Sequence, residues 1–90
     1  KGVDVAKTLT GSKSYDPPSL GANAIQSTTV TVTGAEVGNT VDVGFSIALG
    51  LYSRMWGEVT ASDIVTVYHQ NLTTNVVDVS SGTLTAKVNQ

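Results

Sequence analysis

The side chains able to do acid–base or metal chemistry are few in this 90-residue chain. His69 is the single histidine and there is no cysteine, so neither a histidine pair for zinc nor a thiolate nucleophile can form. A glycosidase would need two carboxylates about 5–10 Å apart, but several stand at turn-like positions where they accept hydrogen bonds from backbone amides. The carboxylates are Asp4, Asp16, Glu36, Asp42, Glu58, Asp63 and Asp78. We expect no catalytic residue, no metal site and no cofactor, with an isolated calcium site of carbonyl and carboxylate oxygens as the alternative left open.

A second group of residues is suited to binding. Tyr52, Arg54 and Trp56 alternate along one segment, and in an extended chain all three project to the same side. Aromatic residues together with Arg are typical of interaction hot spots, and aromatic rings also stack on sugars. The alternative is that Trp56 caps the core of a small domain. The sequence predicts a contact surface here, with Tyr68 as a further stacking platform.

His69 follows Val65 and Val67 at alternate positions, so it is predicted to share their face of a strand. At an interface, a histidine would make contact pH-sensitive, because it titrates near neutrality. The alternative is a hydrogen-bonded histidine at a sheet edge or at the rim of the core. We include His69 among the candidate interface residues on the first of these grounds.

The elements that must position these residues are β-strands, because apolar and polar residues alternate through most of the chain. Residues 10–26 contain Pro17 and Pro18 and are predicted to be a long irregular connection. We expect an all-β fold, a single small antiparallel β-sandwich or jelly-roll-like barrel of six or seven strands. Its domain would span residues 15–90, preceded by a strand or anchoring arm at 1–14. Strands are predicted around Val3 to Leu9 and at residues 27–33, 40–47, 56–61, 64–70, 76–79 and 84–88.

The charge pattern excludes some functions. The net charge is −2 and only 13% of residues are charged, and the five basic residues are too scattered to neutralise a phosphate backbone, so we expect no nucleic-acid binding. No apolar run is long enough to span a membrane. A charge-poor, Thr/Val-rich exterior suggests surfaces that are buried against other subunits, and a small domain without disulfides often gains stability from copies of itself.

Several motifs follow one another in a recognisable order. They are Asp16-Pro17-Pro18-Ser19-Leu20, Val30-Thr31-Val32-Thr33-Gly34-Ala35, Val37-Gly38-Asn39-Thr40-Val41, Val59-Thr60-Ala61-Ser62-Asp63-Ile64-Val65-Thr66-Val67 and Ser81-Gly82-Thr83-Leu84. This layout resembles a small β domain that recurs in tailed-phage structural proteins, both tail-fibre or tail-spike ends and head-fibre or capsid-decoration proteins. The resemblance covers residues 15–88. The chain departs from the usual pattern at Tyr68 and His69, and residues 49–56 are more aromatic than the usual connection.

The resemblance implies a non-enzymatic structural protein at the surface of a phage particle, either a capsid-decoration protein or a head- or tail-fibre subunit. Its partners would be copies of itself, as a homotrimer, together with the major capsid protein or other virion proteins. The alternative is a module at a fibre tip that binds a receptor or a host surface glycan through Tyr52, Trp56 and Tyr68.

Overall fold

A computed structural model describes residues 8–49 and 53–90, and within these ranges the chain forms β-strands and no helix. No helix that is long and apolar enough to cross a membrane occurs in this part of the chain. The six strands are β1 (Thr8–Tyr15), β2 (Ile25–Thr31), β3 (Thr40–Phe45), β4 (Ser53–Ala61), β5 (Ile64–Asn71) and β6 (Gly82–Asn89).

The strands form two three-stranded antiparallel sheets, ordered β1-β6-β3 and β2-β5-β4. Among the six described strands, only β4 and β5 are joined as neighbours within one sheet, and each other pair of consecutive strands lies in opposite sheets. The sheets also meet at both sides, where β1 lies near β2 and β3 lies against β4. The fold is therefore all-β and sandwich-like, and the described strands do not close into a barrel.

Alternation along each strand places the core between the two sheets, since successive side chains point to opposite faces. The shared face predicted for Val65 and Val67 is confirmed as the inward face of β5, the apolar residues of β2 and β6 also face inward, and the inward residues of β3 are half-buried around the same core. The buried core residues are Val30, Val32, Ala35, Val59, Val65, Val67, Leu84, Ala86 and Val88, with Leu9, Tyr15, Val41, Val43, Phe45 and Met55 packed against them.

Strand β1 corrects the prediction of an irregular connection from residue 10. All eight residues from Thr8 to Tyr15 pair with β6. The inward positions of the second half of β1 are Gly11, Lys13 and Tyr15, and the first two carry no apolar signal. Residues 8–14, assigned from the sequence to an arm, are thus paired along their length with the last strand. Residues 1–7, with the predicted strand at Val3 and Val5, lie outside the described residues.

Lys13 is an inward-pointing charge on the edge strand β1. Its Nζ donates a hydrogen bond of 2.5 Å to Oγ1 of Thr28 in the opposite sheet and lies 5.5 Å from the centre of the Tyr15 ring. A charged side chain directed inward on an edge strand is one way in which proteins discourage further strands from pairing there. Lys13 therefore links the two sheets and protects an open edge.

The alternation of β4 is interrupted near its end. A β-bulge between Val59 and Ala61 shifts the register, so Ala61 is exposed although Val59, two residues before it, is buried. The predicted strand at residues 76–79 is reduced to an isolated bridge between Val77 and Leu20, because the chain there crosses between the sheets.

The turn at residues 34–39, between β2 and β3, is tied to the β4–β5 hairpin. Gly34 and Gly38 have positive φ angles of 93° and 101°, which glycine adopts without strain. The Gly34 backbone N–H donates to Asp63 Oδ1 at 2.7 Å. Asp63 therefore satisfies a backbone amide from its hairpin position, as its sequence context predicts.

Candidate functional site

The outward face of sheet β2-β5-β4 carries most of the predicted contact residues. Pairing places Arg54 opposite Gln70, Trp56 opposite Tyr68 and Glu58 opposite Thr66. The neighbouring positions on β2 are Ile25, Ser27 and Thr29, and Ile25 is 56% exposed. We call this surface the aromatic face. It contrasts with the outward face of the other sheet, the hydroxyl face, which presents Thr8, Thr10, Ser12, Ser14, Thr40, Asp42, Thr83, Thr85, Lys87 and Asn89.

Four side chains of the aromatic face contact one another. The Trp56 and Tyr68 rings stack with their centres 5.5 Å apart and an interplanar angle of 26°. The Arg54 guanidinium lies 4.3 Å from the centre of the Trp56 ring, within the range of a cation–π interaction. Tyr68 Oη donates a hydrogen bond of 3.2 Å to Glu58 Oε2. These contacts hold two aromatic rings, a cation and an anion in fixed positions on an otherwise uncharged face.

The stack also perturbs the Tyr68 phenol. Desolvation by its surroundings and the negative charge of Glu58 both raise the pKa of Tyr68 above its usual value of 10.0. Because the carboxylate accepts the phenol proton in a hydrogen bond, it favours the protonated form. Tyr68 therefore remains a hydrogen-bond donor beyond its usual range of pH.

Among the candidate contact residues, the structure brings Arg54, Trp56 and Tyr68 together. Trp56 lies on the outward face and is not part of the core cluster, which disfavours the alternative that it caps the core. Glu58 joins this group although it was considered only as a possible acid. The signal was available, because Glu58 is two residues from Trp56 and shares its parity. Tyr52 lies outside the described residues.

His69 does not belong to the surface. It is only 1% exposed, faces inward beside Val67, and is therefore corrected from a candidate interface residue to an interior one. Adjacent residues of a strand point to opposite faces, so Tyr68 and His69 cannot serve one surface. The expected hydrogen bond is also absent, since both ring nitrogens lack a partner among the described residues, as does the buried Ser53 Oγ.

The interior position of His69 predicts an acid-sensitive stability. Burial lowers the pKa of His69 from 6.5, because desolvation disfavours the charged imidazolium. Below pH 6.5 the unfolded state binds the proton more readily, and stability falls as the pH decreases. We expect a loss of at most about 1.4 kcal/mol per pH unit between pH 6.5 and the lowered folded-state pKa.

Urea unfolding of the wild type and of His69→Gln at pH 7.5, 6.5 and 5.5 tests this expectation. Glutamine is polar but does not titrate, so the variant should lose the histidine's share of the pH dependence. If the free energy of unfolding depends on pH equally in both proteins, His69 is not the group responsible for the acid sensitivity.

Asn71 has a structural role that no sequence pattern predicted. Its side chain is fully buried at the end of β5. Nδ2 donates to the carbonyl oxygens of Leu20 at 3.1 Å, Gly21 at 3.0 Å and Asn75 at 2.6 Å, while Oδ1 accepts from the N–H and the hydroxyl of Thr73, both at 2.8 Å. One amide thus fastens the β1–β2 connection to the β5–β6 connection.

An open pocket of about 500 Å³ lies between residues 47–49 and 73–80. Its lining is largely apolar, and Asp78 is the one titratable side chain among its lining residues. One carboxylate provides neither a catalytic pair nor a nucleophile with its base. Within residues 8–49 and 53–90, no three His, Cys, Asp or Glu side chains come together as metal ligands.

Fold and surface together define a small, all-β, sandwich-like domain with one exposed aromatic face. No known protein family matches the chain, and no curated protein or solved structure compared with it matches either. The resemblance to phage structural domains therefore stays a prediction from the motifs. The structural observations that bear on function are those of the aromatic face.

Proposed function

We propose that this chain is a non-enzymatic structural subunit of a phage particle, a decoration protein or fibre subunit that docks through its aromatic face. The observation that carries the proposal is the outward-facing group of Arg54, Trp56 and Tyr68 on one side of the sandwich, in which Arg54 is exposed and the two rings are half-buried. Residues of these three types dominate the binding energy of protein interfaces. The motif order in residues 15–88 supplies the phage assignment.

Pre-organisation supports docking by this face. Arg54 and Tyr68 are already packed on the Trp56 ring in the free chain. Side chains that are ordered before binding lose less conformational entropy when a partner covers them. The small share of charged residues, 13%, also favours docking, because few charged groups would lose their hydration in an interface.

The proposal includes assembly into oligomers, three copies by the resemblance, on a particle built from a major capsid protein or other virion proteins. A jelly-roll-like arrangement of the sandwich belongs to the same proposal. In this function the hydroxyl face would remain toward water, since serine and threonine hydroxyls hydrogen-bond with solvent at little cost.

Incorporation into particles tests the proposal. Trp56→Ala removes the centre of the aromatic face, and we expect at least a tenfold lower copy number in purified particles, measured by quantitative mass spectrometry. Lys87→Ala, an exposed change on the hydroxyl face, is the matched control and should incorporate normally. Equal copy numbers for both variants would refute docking through the aromatic face, provided that circular dichroism shows both to be folded.

A second candidate is a carbohydrate-binding module at a fibre tip. The observation that favours it is the outward-facing, half-buried Trp56–Tyr68 stack beside the Glu58 carboxylate, because sugars pack on aromatic rings and donate hydroxyl hydrogen bonds to carboxylates. Arg54 already lies over the Trp56 ring and a sugar would have to displace it. Trp56 is the only tryptophan, so its fluorescence during a glycan titration separates the candidates: a saturable change supports sugar binding and a flat response excludes it for the glycans tested.

A further inference from the structure

The charges of the aromatic face are arranged symmetrically about Trp56. Arg54 precedes Trp56 by two residues and Glu58 follows it by two, and all three point outward from β4. They are the only exposed charged residues on β2, β4 and β5. Four residues of extended strand separate their Cα atoms by about 13 Å, too far for them to pair with each other.

We propose that a second copy of this chain covers the aromatic face, related by a twofold axis that lies in the interface along the row Ser27–Tyr68–Trp56. The proposal rests on the proposed function in assigning docking to this face, and it names the partner. The twofold rotation reverses the direction of β4 and keeps each strand at its place across the sheet. Arg54 of each copy then lies over Glu58 of the other, and the two Trp56–Tyr68 stacks meet at the centre.

The chemistry of this pairing is self-complementary. A twofold interface uses the same surface patch on both copies, so each favourable contact away from the axis occurs twice. Two Arg–Glu pairs would flank a central cluster of four aromatic rings, and Gln70 of one copy would face Thr66 of the other. A parallel stacking of the two β4 strands would instead bring Arg54 onto Arg54 and Glu58 onto Glu58, so the charges select the antiparallel register.

The size of the face limits the affinity. Three strands about 4.8 Å apart and seven residues of about 3.3 Å each give a flat face of roughly 320 Å². This is small beside the roughly 800 Å² per partner of a stable interface. The pairing is therefore weak in solution and is strengthened where many copies are held close together on a particle. A threefold ring uses two different surfaces on each copy, so trimer formation elsewhere on the domain is compatible with it.

Variants with a reversed charge at residue 54 or at residue 58 test the proposed pairing. Arg54→Glu alone places like charges opposite each other in the homodimer, and so does Glu58→Arg alone. An equimolar mixture of the two variants restores opposite charges at both positions. We expect each single variant to self-associate at least tenfold more weakly than the wild type, and the mixture to associate like the wild type, in sedimentation equilibrium of the full chain up to millimolar concentration.

Lys87→Glu is the matched control, because it changes the net charge as much as Arg54→Glu does but lies on the hydroxyl face. It should self-associate like the wild type, and circular dichroism melts verify folding of every variant. A mixture that stays as weakly associated as its components overturns the proposal. So does a wild type that forms no dimer, or a dimer that persists in Arg54→Glu.

The two proposals fail separately. If the wild type does not self-associate but Trp56→Ala still prevents incorporation into particles, the aromatic face docks on a different virion protein. In that case the self-pairing is overturned and the proposed function stands. If the charge-reversal mixture associates but Trp56→Ala particles are normal, the self-pairing stands and the docking function is overturned.

Discussion

Gly11→Ala should destabilise the protein by about 2–3 kcal/mol, the upper part of the range for overpacked interiors. Gly11 faces inward on β1, and a Cβ at this position would overlap the Thr31 carbonyl oxygen and lie 2.9 Å from Val32 Cγ2. One of these atoms belongs to the backbone of the opposite sheet and cannot turn away as a flexible side chain would. The methyl group therefore has to push the two sheets apart at the side where β1 approaches β2.

Gly44→Ala is the matched control for this experiment. Gly44 lies in β3 of the same sheet, and a Cβ there meets no atom within 4 Å. Replacing glycine at an unstrained position reduces the freedom of the unfolded chain, so Gly44→Ala should be neutral or stabilising by up to about 1 kcal/mol. Urea unfolding of both variants checks the pair, and equal stabilities would mean that the sheets do not meet closely at Gly11.

Asn71→Ala should cost about 3 kcal/mol, because each hydrogen bond lost from the interior contributes about 0.5–1.5 kcal/mol net. The change removes the five hydrogen-bond contacts of the buried amide, three of which share its two N–H hydrogens, and leaves the bridge between Leu20 and Val77 as the remaining backbone tie at Leu20. For a domain of this size that loss corresponds to a decrease in Tm of more than 10 °C.

Asn75→Ala controls for the Asn71 experiment. Asn75 takes part in the same network only through its backbone atoms, and its side chain is exposed. Its substitution should change the Tm by no more than about 3 °C, as is usual for surface positions. Differential scanning calorimetry of the two variants measures the contrast, and a similar decrease in both would show that Asn71 does not fasten the two connections.

The strands that could be predicted from the sequence are those in which alternation and burial coincide. Val65 and Val67 in β5, and Leu84, Ala86 and Val88 in β6, each stand two residues apart and face the core. The second half of β1 could not be found in this way. Its inward positions hold Gly11, where the opposite sheet leaves no room for a side chain, and Lys13, whose partner Thr28 is 15 residues away. Both depend on contacts that no local pattern contains.

The candidate surface could be predicted only in part from the sequence. Parity along one strand places Arg54, Trp56 and Glu58 on one side, but the pairing of Trp56 with Tyr68 requires the register of the β4–β5 hairpin. That register depends on the turn at residues 62–63 together with the β-bulge between Val59 and Ala61, which shifts the pairing by one residue. The role of Asn71 could not be predicted, because its acceptors on Leu20 and Gly21 are 50 or more positions away in the sequence.

The central claim is that the aromatic face is covered by protein in a phage particle, and hydroxyl-radical footprinting tests it most directly. The oxidation of Trp56 and Tyr68 would be compared by mass spectrometry in the free chain and in purified particles, with the half-buried Tyr15 as internal reference. We predict at least fivefold protection of Trp56 and Tyr68 in particles and unchanged labelling of Tyr15. Particles that lack the chain, or that contain it with Trp56 labelled as strongly as in the free protein, would contradict the account.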